Sequence, residues 1–246
     1  MSIESISSPR LPGSENHSIK VLSLDTSTSR GSCALLVGRE VVAELRLLSL
    51  ETHSARLLKS IEFLMAGVGW RLTDLGLVAA GIGPGSFTGI RIGVSTGLGL
   101  AQVLSLPLAG ISGLDALAHR DGLPEGRLGI VMDAQRSQLY YAEYLRTSGR
   151  IRMQRAPSLW NPEEWRRQVK CRGLFLAGDG IMRYRTELGG SETGWPRYVH
   201  TELFLAGDIG KLALARRRCW KRGEFLQAEP LYIRPPDAMR SRERRA

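Results

Sequence analysis

Val21-Leu22-Ser23-Leu24-Asp25 runs from apolar residues into an aspartate, and Gly129-Ile130-Val131-Met132-Asp133 repeats that plan in the second half of this 246-residue chain. In both places the Asp ends an apolar strand and is followed by a polar turn and a returning strand. The first turn is Thr26-Ser27-Thr28-Ser29-Arg30-Gly31, with a strand from Ser32 to Val37 behind it. The second is Ala134-Gln135-Arg136-Ser137, leading into Gln138 to Leu145. A strand, turn and strand met twice is the mark of a duplicated unit.

Working outward from the first copy, Gly38-Arg39-Glu40 is a turn and Val41 to Leu48 continues an antiparallel meander. A helix then starts near Thr52 or Ser54, either of which can cap it. Leu57, Leu58, Ile61, Leu64 and Met65 recur at helical spacing, and Gly67 and Gly69 end the helix. Leu77 to Ile82 reads as a short buried parallel strand. Gly83-Pro84-Gly85-Ser86-Phe87-Thr88-Gly89 leads into a long helix ending near Leu104, and Pro107 to Ile111 is a further strand before Ser112, which caps the next helix.

The second copy adds a strand at Ile151 to Ala156 and a helix start at Asn161-Pro162-Glu163-Glu164, with cap, first-turn proline and acids near the positive dipole end. Leu174 to Ala177 and a helix from Ile181 follow. The expected organisation is an extension over 1–19, an N-terminal α/β lobe over 20–110, a C-terminal lobe over 111–235 and a basic tail over 236–246.

Composition restricts the function classes. The chain has 34 Lys and Arg against 24 Asp and Glu, a net charge of +10, which favours polyanions or an acidic partner. Arginines crowd the end of the chain, at 216 to 218 and at 240, 242, 244 and 245. Three cysteines without a close pair match a reducing compartment and provide no thiolate metal cage. Four histidines show no i,i+4 pairing, so a helical two-His metal site is not expected. The first 19 residues are polar and lack a secretory core, and no uninterrupted apolar run reaches the length of a membrane span. A cytoplasmic protein is expected.

Two loops carry candidate chemistry. Asp25, Thr26 and Ser27 could hold a phosphate or a metal-bound water, or could simply satisfy their own turn. Gly83, Gly85 and Ser86 lie between a strand end and a helix N-terminus, a geometry suited to an anion, although no Walker lysine follows. A tight turn with a capped helix fits equally well. The helix behind this loop repeats Gly89, Gly93, Gly97 and Ala101 every four residues. Each interior glycine costs roughly 1 kcal/mol relative to alanine, so the stripe should admit a closely packed neighbour: the helix's own lobe or a second chain. No nucleophile-elbow sequence surrounds Ser86 that would make it a hydrolase serine with His119.

At these residues the chain resembles the TsaB (YeaZ) family. The likeness lies in Leu22-Ser23-Leu24-Asp25-Thr26-Ser27, Thr52-His53-Ser54, Gly83 through Gly93, Met132-Asp133-Ala134-Gln135 with Tyr140, and Ala228-Glu229-Pro230-Leu231-Tyr232-Ile233-Arg234. The resemblance implies an actin-like, Hsp70-like ATPase (ASKHA) fold of two ribonuclease-H-like lobes. It implies a non-catalytic dimerisation subunit that pairs with a TsaD-like catalytic subunit, works with a TsaE-like ATPase, and supports threonylcarbamoyl transfer to the adenosine beside the anticodon of tRNA. On that reading ATP is used by the complex, with no cofactor held by this chain and no membrane involved. The first helix and the glycine-striped helix would form the partner surface, with Leu57, Ile61, Leu64, Gly89, Gly93, Gly97 and Ala101 at its centre and a homodimer on the same surface when the partner is absent. The competing expectation is a small ATPase or kinase of the same fold, built on Asp25 and the Gly83 to Gly89 loop.

Overall fold

A computed structural model describes residues 19–48, 54–189, 196–199, 201–217 and 228–234. Two five-stranded mixed sheets form the molecule. The first contains β1 (Lys20–Asp25), β2 (Arg30–Val37), β3 (Glu40–Leu48), β4 (Leu77–Gly81) and β5 (Leu108–Ile111), in the order β3-β2-β1-β4-β5. The second contains β6 (Gly126–Asp133), β7 (Leu139–Thr147), β8 (Arg150–Trp160), β9 (Leu174–Ala177) and β10 (Arg197–Val199), in the order β10-β9-β6-β7-β8. Each sheet places the first strand of its copy at the centre, the next two antiparallel on one side and the last two parallel on the other. The duplication read from the two Asp-ended strands is therefore a duplication of topology. This is the two-lobe actin-like arrangement of ribonuclease-H-like units.

Alternation along the strands builds three cores. Val21, Ala34, Leu36, Leu77 and Ala79 face inward towards Leu128, Ile130, Met132 and Tyr144 of the second sheet. Between the sheets lie α3 (Gly113–Ala118) and α6 (Ala206–Ala215). On the outer face of the first sheet, Leu22, Leu24, Cys33, Leu35, Val78 and Ala80 pack against α1 (Ser54–Gly67) and α2 (Phe87–Leu104). On the outer face of the second, Val131, Leu139 and Tyr141 pack against Trp165 of α4 (Pro162–Gln168) and Ile181 of α5 (Gly180–Arg183). Tyr140 and Tyr144 thus point into the shared core while Tyr141 points outward, as strand alternation requires.

The local signals mostly hold. Asn161 accepts from the amides of Glu163 and Glu164, and Pro162 occupies the first turn of α4. Ser86 caps α2 by accepting from Gly89 N. Three expectations need correction. Ser112 precedes α3, but its side chain makes no capping bond. Leu58 points away from the core. The helix α6 and the three-residue β10 were not expected at all. Buried except along Asp208, Lys211 and Ala215, α6 has its start capped from a distance: Ala206 N donates to Ser32 Oγ of β2, and Ser23 Oγ of β1 donates to Ala206 O. Although it comes late in the chain, α6 lies on the first sheet, so the sequence segments do not sort lobe by lobe. The proposed extension, the basic tail, and Thr52 and His53 lie outside the described residues.

Candidate functional site

The two Asp-ended strands finish at matching turns. Asp25 Oδ1 accepts from Ser27 N at 3.0 Å, and Asp133 Oδ1 accepts from Gln135 N at 2.8 Å. In the first copy the turn is zipped to the start of α2. Thr26 Oγ1 donates to Gly89 O at 2.7 Å, and Ser86 N donates to Ser27 O at 2.7 Å. A Cβ on Gly85 would lie 2.0 Å from Ser27 O, and one on Gly89 would lie 2.0 Å from Thr26 O. Asp25, Thr26, Ser27, Gly83, Gly85 and Ser86 are therefore assembled as expected, but the backbone of one loop fills the space left by the glycines of the other. Asp25, Thr26, Ser27 and Gly83 are buried. The glycines serve a turn-to-turn contact, and of them Gly85 also borders the cleft beside it.

Beside this knot opens a cleft of about 360 Å³, lined by Ser27, Thr28, Ser86, Asp133, Asp179 and Arg234 among others. Asp133 is fully engaged. Its carboxylate also accepts from Tyr184 Oη at 2.9 Å and Gln135 Nε2 at 2.8 Å, and it pairs with Arg183 at 3.1 Å. Asp179 accepts from Asp133 N at 3.0 Å. Burial first, then the Asp133 charge, pushes the Asp179 carboxyl up to about 6. Gln135, Arg136 and Ser137 all have positive φ, at 59°, 55° and 53°. A left-handed run of non-glycine residues costs roughly 1–2 kcal/mol per residue and persists only where neighbours enforce it. The enforcing neighbour is Arg234, which donates to Ala134 O at 2.6 Å and Gln138 Oε1 at 2.5 Å.

Arg234 ends a segment that ties the lobes together. Leu231 N donates to Ile82 O at 2.7 Å, while Tyr232 stacks near Phe87 at 4.9 Å and accepts from Arg91. Residues 228–234 thus strap the mouth of the cleft. Sequence reasoning missed the roles of Asp133, Asp179 and Arg234. The Gly178-Asp179-Gly180 run was the available signal, since a Cβ on Gly178 would meet Val131 O at 2.1 Å. A larger groove of about 570 Å³ lies elsewhere between β3 and α6. Its charges already pair with one another, Arg120 with Asp208 and Arg46 with Glu44 and Glu202. Among the described residues no three His, Cys, Asp or Glu side chains converge as a metal group. His119 Nδ1 lies 2.8 Å from Asp115 O at the end of α3.

The seven residues expected at the partner surface all face inward. Leu57, Ile61, Leu64 and Ala101 are core residues. A Cβ on Gly93 would lie 2.6 Å from Thr26 Oγ1, and one on Gly97 would lie 3.2 Å from Leu108 Cδ1. The stripe is sealed against the helix's own sheet, so the neighbour it admits is β1, β4 and β5 rather than another chain. Gly99, off the stripe, meets open space. Three large apolar side chains stand exposed on the outward sides of the two helices, Leu58 at 58%, Phe63 at 69% and Val103 at 85%, with Lys59 and Glu62 between the first two. By length and composition α2 is apolar enough to cross a membrane, but its glycine face is fixed to the first sheet.

The family model described as TsaD: tRNA N6-adenosine threonylcarbamoyltransferase matches residues 47–172. The chain is 34% identical to the tRNA threonylcarbamoyladenosine biosynthesis protein TsaB of Escherichia coli, over 88% of this chain and 95% of that one. It is 29% identical to the protein of the same name from Haemophilus influenzae, over 88% and 94%. The solved structure of YeaZ from Pseudomonas aeruginosa superposes with a TM-score of 0.73 at 28% identity, covering 87% of this chain and 99% of that one. Spanning nearly the whole of these relatives and sharing their fold, the chain belongs to the TsaB family.

Proposed function

We propose that this chain acts in tRNA threonylcarbamoyladenosine biosynthesis as a non-catalytic scaffold subunit. It pairs with a TsaD-like catalytic subunit through the outer faces of α1 and α2, works in the cytoplasm with a TsaE-like ATPase, and forms a homodimer through the same faces when the partner is absent. The observation that carries this reading is the uncovered apolar face. Leu58, Phe63 and Val103 stand exposed on two helices that lie side by side on the first sheet. Burying each such side chain stabilises by roughly 1.5–3 kcal/mol, enough for a few of them to anchor an interface. A long helix anchored on one side, with Val103 exposed and Ile92, Leu98, Leu100 and Leu104 only half-buried, suits a helix-pair contact with a like pair.

The test is co-purification with the catalytic relative after Phe63→Glu and Val103→Glu together. Both side chains are exposed, so the fold should survive, as circular dichroism will show, while pairing is lost. Undiminished pairing would overturn the reading.

The cleft floored by Asp133 and Asp179 motivates a second reading, a small ATPase or kinase acting alone. Against it stands the closure of the Asp25 turn by Gly85 and Gly89. Calorimetry with ATP and magnesium separates the two: tight binding with turnover would promote the second.

A further inference from the structure

The outer face of the second sheet is only partly covered by α4 and α5, and its free end is basic. Between Glu143 and Glu163 the sequence has four arginines, Arg146, Arg150, Arg152 and Arg155, and no acid. Their spacing along β8 would put Arg155 on the face opposite Arg150 and Arg152 if the strand alternated regularly. It does not alternate regularly. Arg150 pairs with Thr147 and Arg152 with Leu145, but the register slips so that Arg155, not Gln154, lies opposite Glu143. Thr147, Leu145 and Glu143 alternate on one face of β7, so the bulge brings all three arginines to one side.

All three are exposed. Arg150 and Arg152 make no ion pair among the described residues, and Arg155 lies over the Trp160 ring at 5.5 Å. The acid on the same face, Glu143, is buried and already bound by Arg127 at 2.8 Å and Tyr141 Oη at 2.9 Å. Glu163 and Glu164 lie in the first turn of α4, near the positive end of its dipole. An edge strand can be protected by charge of either sign. Here the charge is of one sign, unpaired, and gathered on one face by a bulge.

We propose that this face of β8, with Arg150, Arg152 and Arg155, docks the phosphate backbone of the tRNA substrate. The choice of RNA rests on the biosynthetic role proposed above, and the basic face supplies the complementary charge. Arginines two residues apart on a strand stand roughly 6.6 Å apart, of the order of the separation between successive phosphates.

The experiment is fluorescence anisotropy of a labelled tRNA transcript with the full chain, comparing wild type with Arg150→Gln/Arg152→Gln/Arg155→Gln. A charge-matched control, Arg39→Gln/Arg46→Gln/Arg71→Gln, changes the first lobe and its surroundings. Each phosphate contact contributes roughly 0.9 to the slope of log affinity against log salt, so over a fourfold rise in salt the wild type should lose about 40-fold more affinity than the β8 variant. The control should keep most of the wild-type slope. Equal losses in both variants, or no wild-type binding at low salt, overturn the proposal. So does a β8 variant that self-associates with unchanged tRNA affinity, which would make the arginines guards of the strand edge. Phe63→Glu/Val103→Glu is measured alongside. If it loses the protein partner and keeps tRNA, the two surfaces are separate. If it keeps the partner, the scaffold reading fails and the RNA result still stands or falls by itself.

Discussion

Five glycines or near-glycines on α2 are alike in sequence, but the structure separates them, and a pair of alanine substitutions measures the difference. Gly89→Ala places a methyl group 2.0 Å from Thr26 O, a backbone atom that cannot swing aside. Relief requires the helix and the Asp25 turn to part by about 1 Å, an overpacking strain worth roughly 1–3 kcal/mol. That movement also stretches the Thr26 Oγ1 to Gly89 O bond, worth about 1 kcal/mol. Better helix propensity returns about 1 kcal/mol, leaving a net loss of roughly 1–3 kcal/mol. Gly99→Ala meets nothing and should gain up to about 1 kcal/mol. For a chain of this size each kcal/mol moves Tm by roughly 2–4 °C, so the variants should melt about 10 °C apart, on either side of wild type. Thermal unfolding followed by circular dichroism reads the difference directly. A Gly89→Ala protein melting at or above wild type would refute the claim that the stripe is sealed inside its own lobe.

Other consequences follow from the buried groups. The raised Asp179 carboxyl binds its proton more tightly when folded, so this group costs stability as pH rises from about 4 to 6, and the cost is complete above that range. Asp179→Asn keeps an acceptor for Asp133 N and should be about 3 kcal/mol more stable at pH 7.5, with no advantage at pH 4; a urea series at both values checks it, and a less stable variant at pH 7.5 would contradict it. Burial pushes the Cys33 thiol up to about 12, so a thiol reagent at pH 8 should modify the less buried Cys171 in the native protein and reach Cys33 only on unfolding, as peptide mapping will show. Arg234→Ala removes the donor that clasps the second lobe at Ala134 and Gln138, and limited proteolysis should then cut the strap at least severalfold faster; unchanged cleavage would mean that Leu231 alone retains it.

Much of this architecture was legible because it is written locally. Apolar strands ending in Asp, the Asn161-Pro162 start and the Ser86 cap each carry their structure within a few residues. What escaped depends on partners distant in sequence. No local cap marks the start of α6, because its amide is capped by Ser32 and its glycines fit Leu36 and Val41 across the core. Pro157 marks β8 as an edge or bulged strand, but not how far the register slips beside it. The glycine stripe was readable as a close contact, but its neighbour was not. Helical periodicity fixes which residues share a face and says nothing about which side of the helix that face meets.

That distinction gives α2 its form. A helix that must lie tightly on a sheet and also present an apolar surface has to divide the two tasks around its circumference. Glycines on the inner side bring its axis down onto Thr26 and Leu108, and Val103 is left on the outer side. In the second copy Gly178 and Gly180 also pack closely on the central strand, at Val131, but the helix there has only four residues, Gly180–Arg183, against eighteen in α2. It cannot present a comparable apolar face. Duplication supplied two equivalent sheets, and the unequal helices assigned them different outer surfaces: a helical apolar face on the first and a bare, basic strand edge on the second. The scaffold role and the RNA contact proposed above would each use one of these two surfaces.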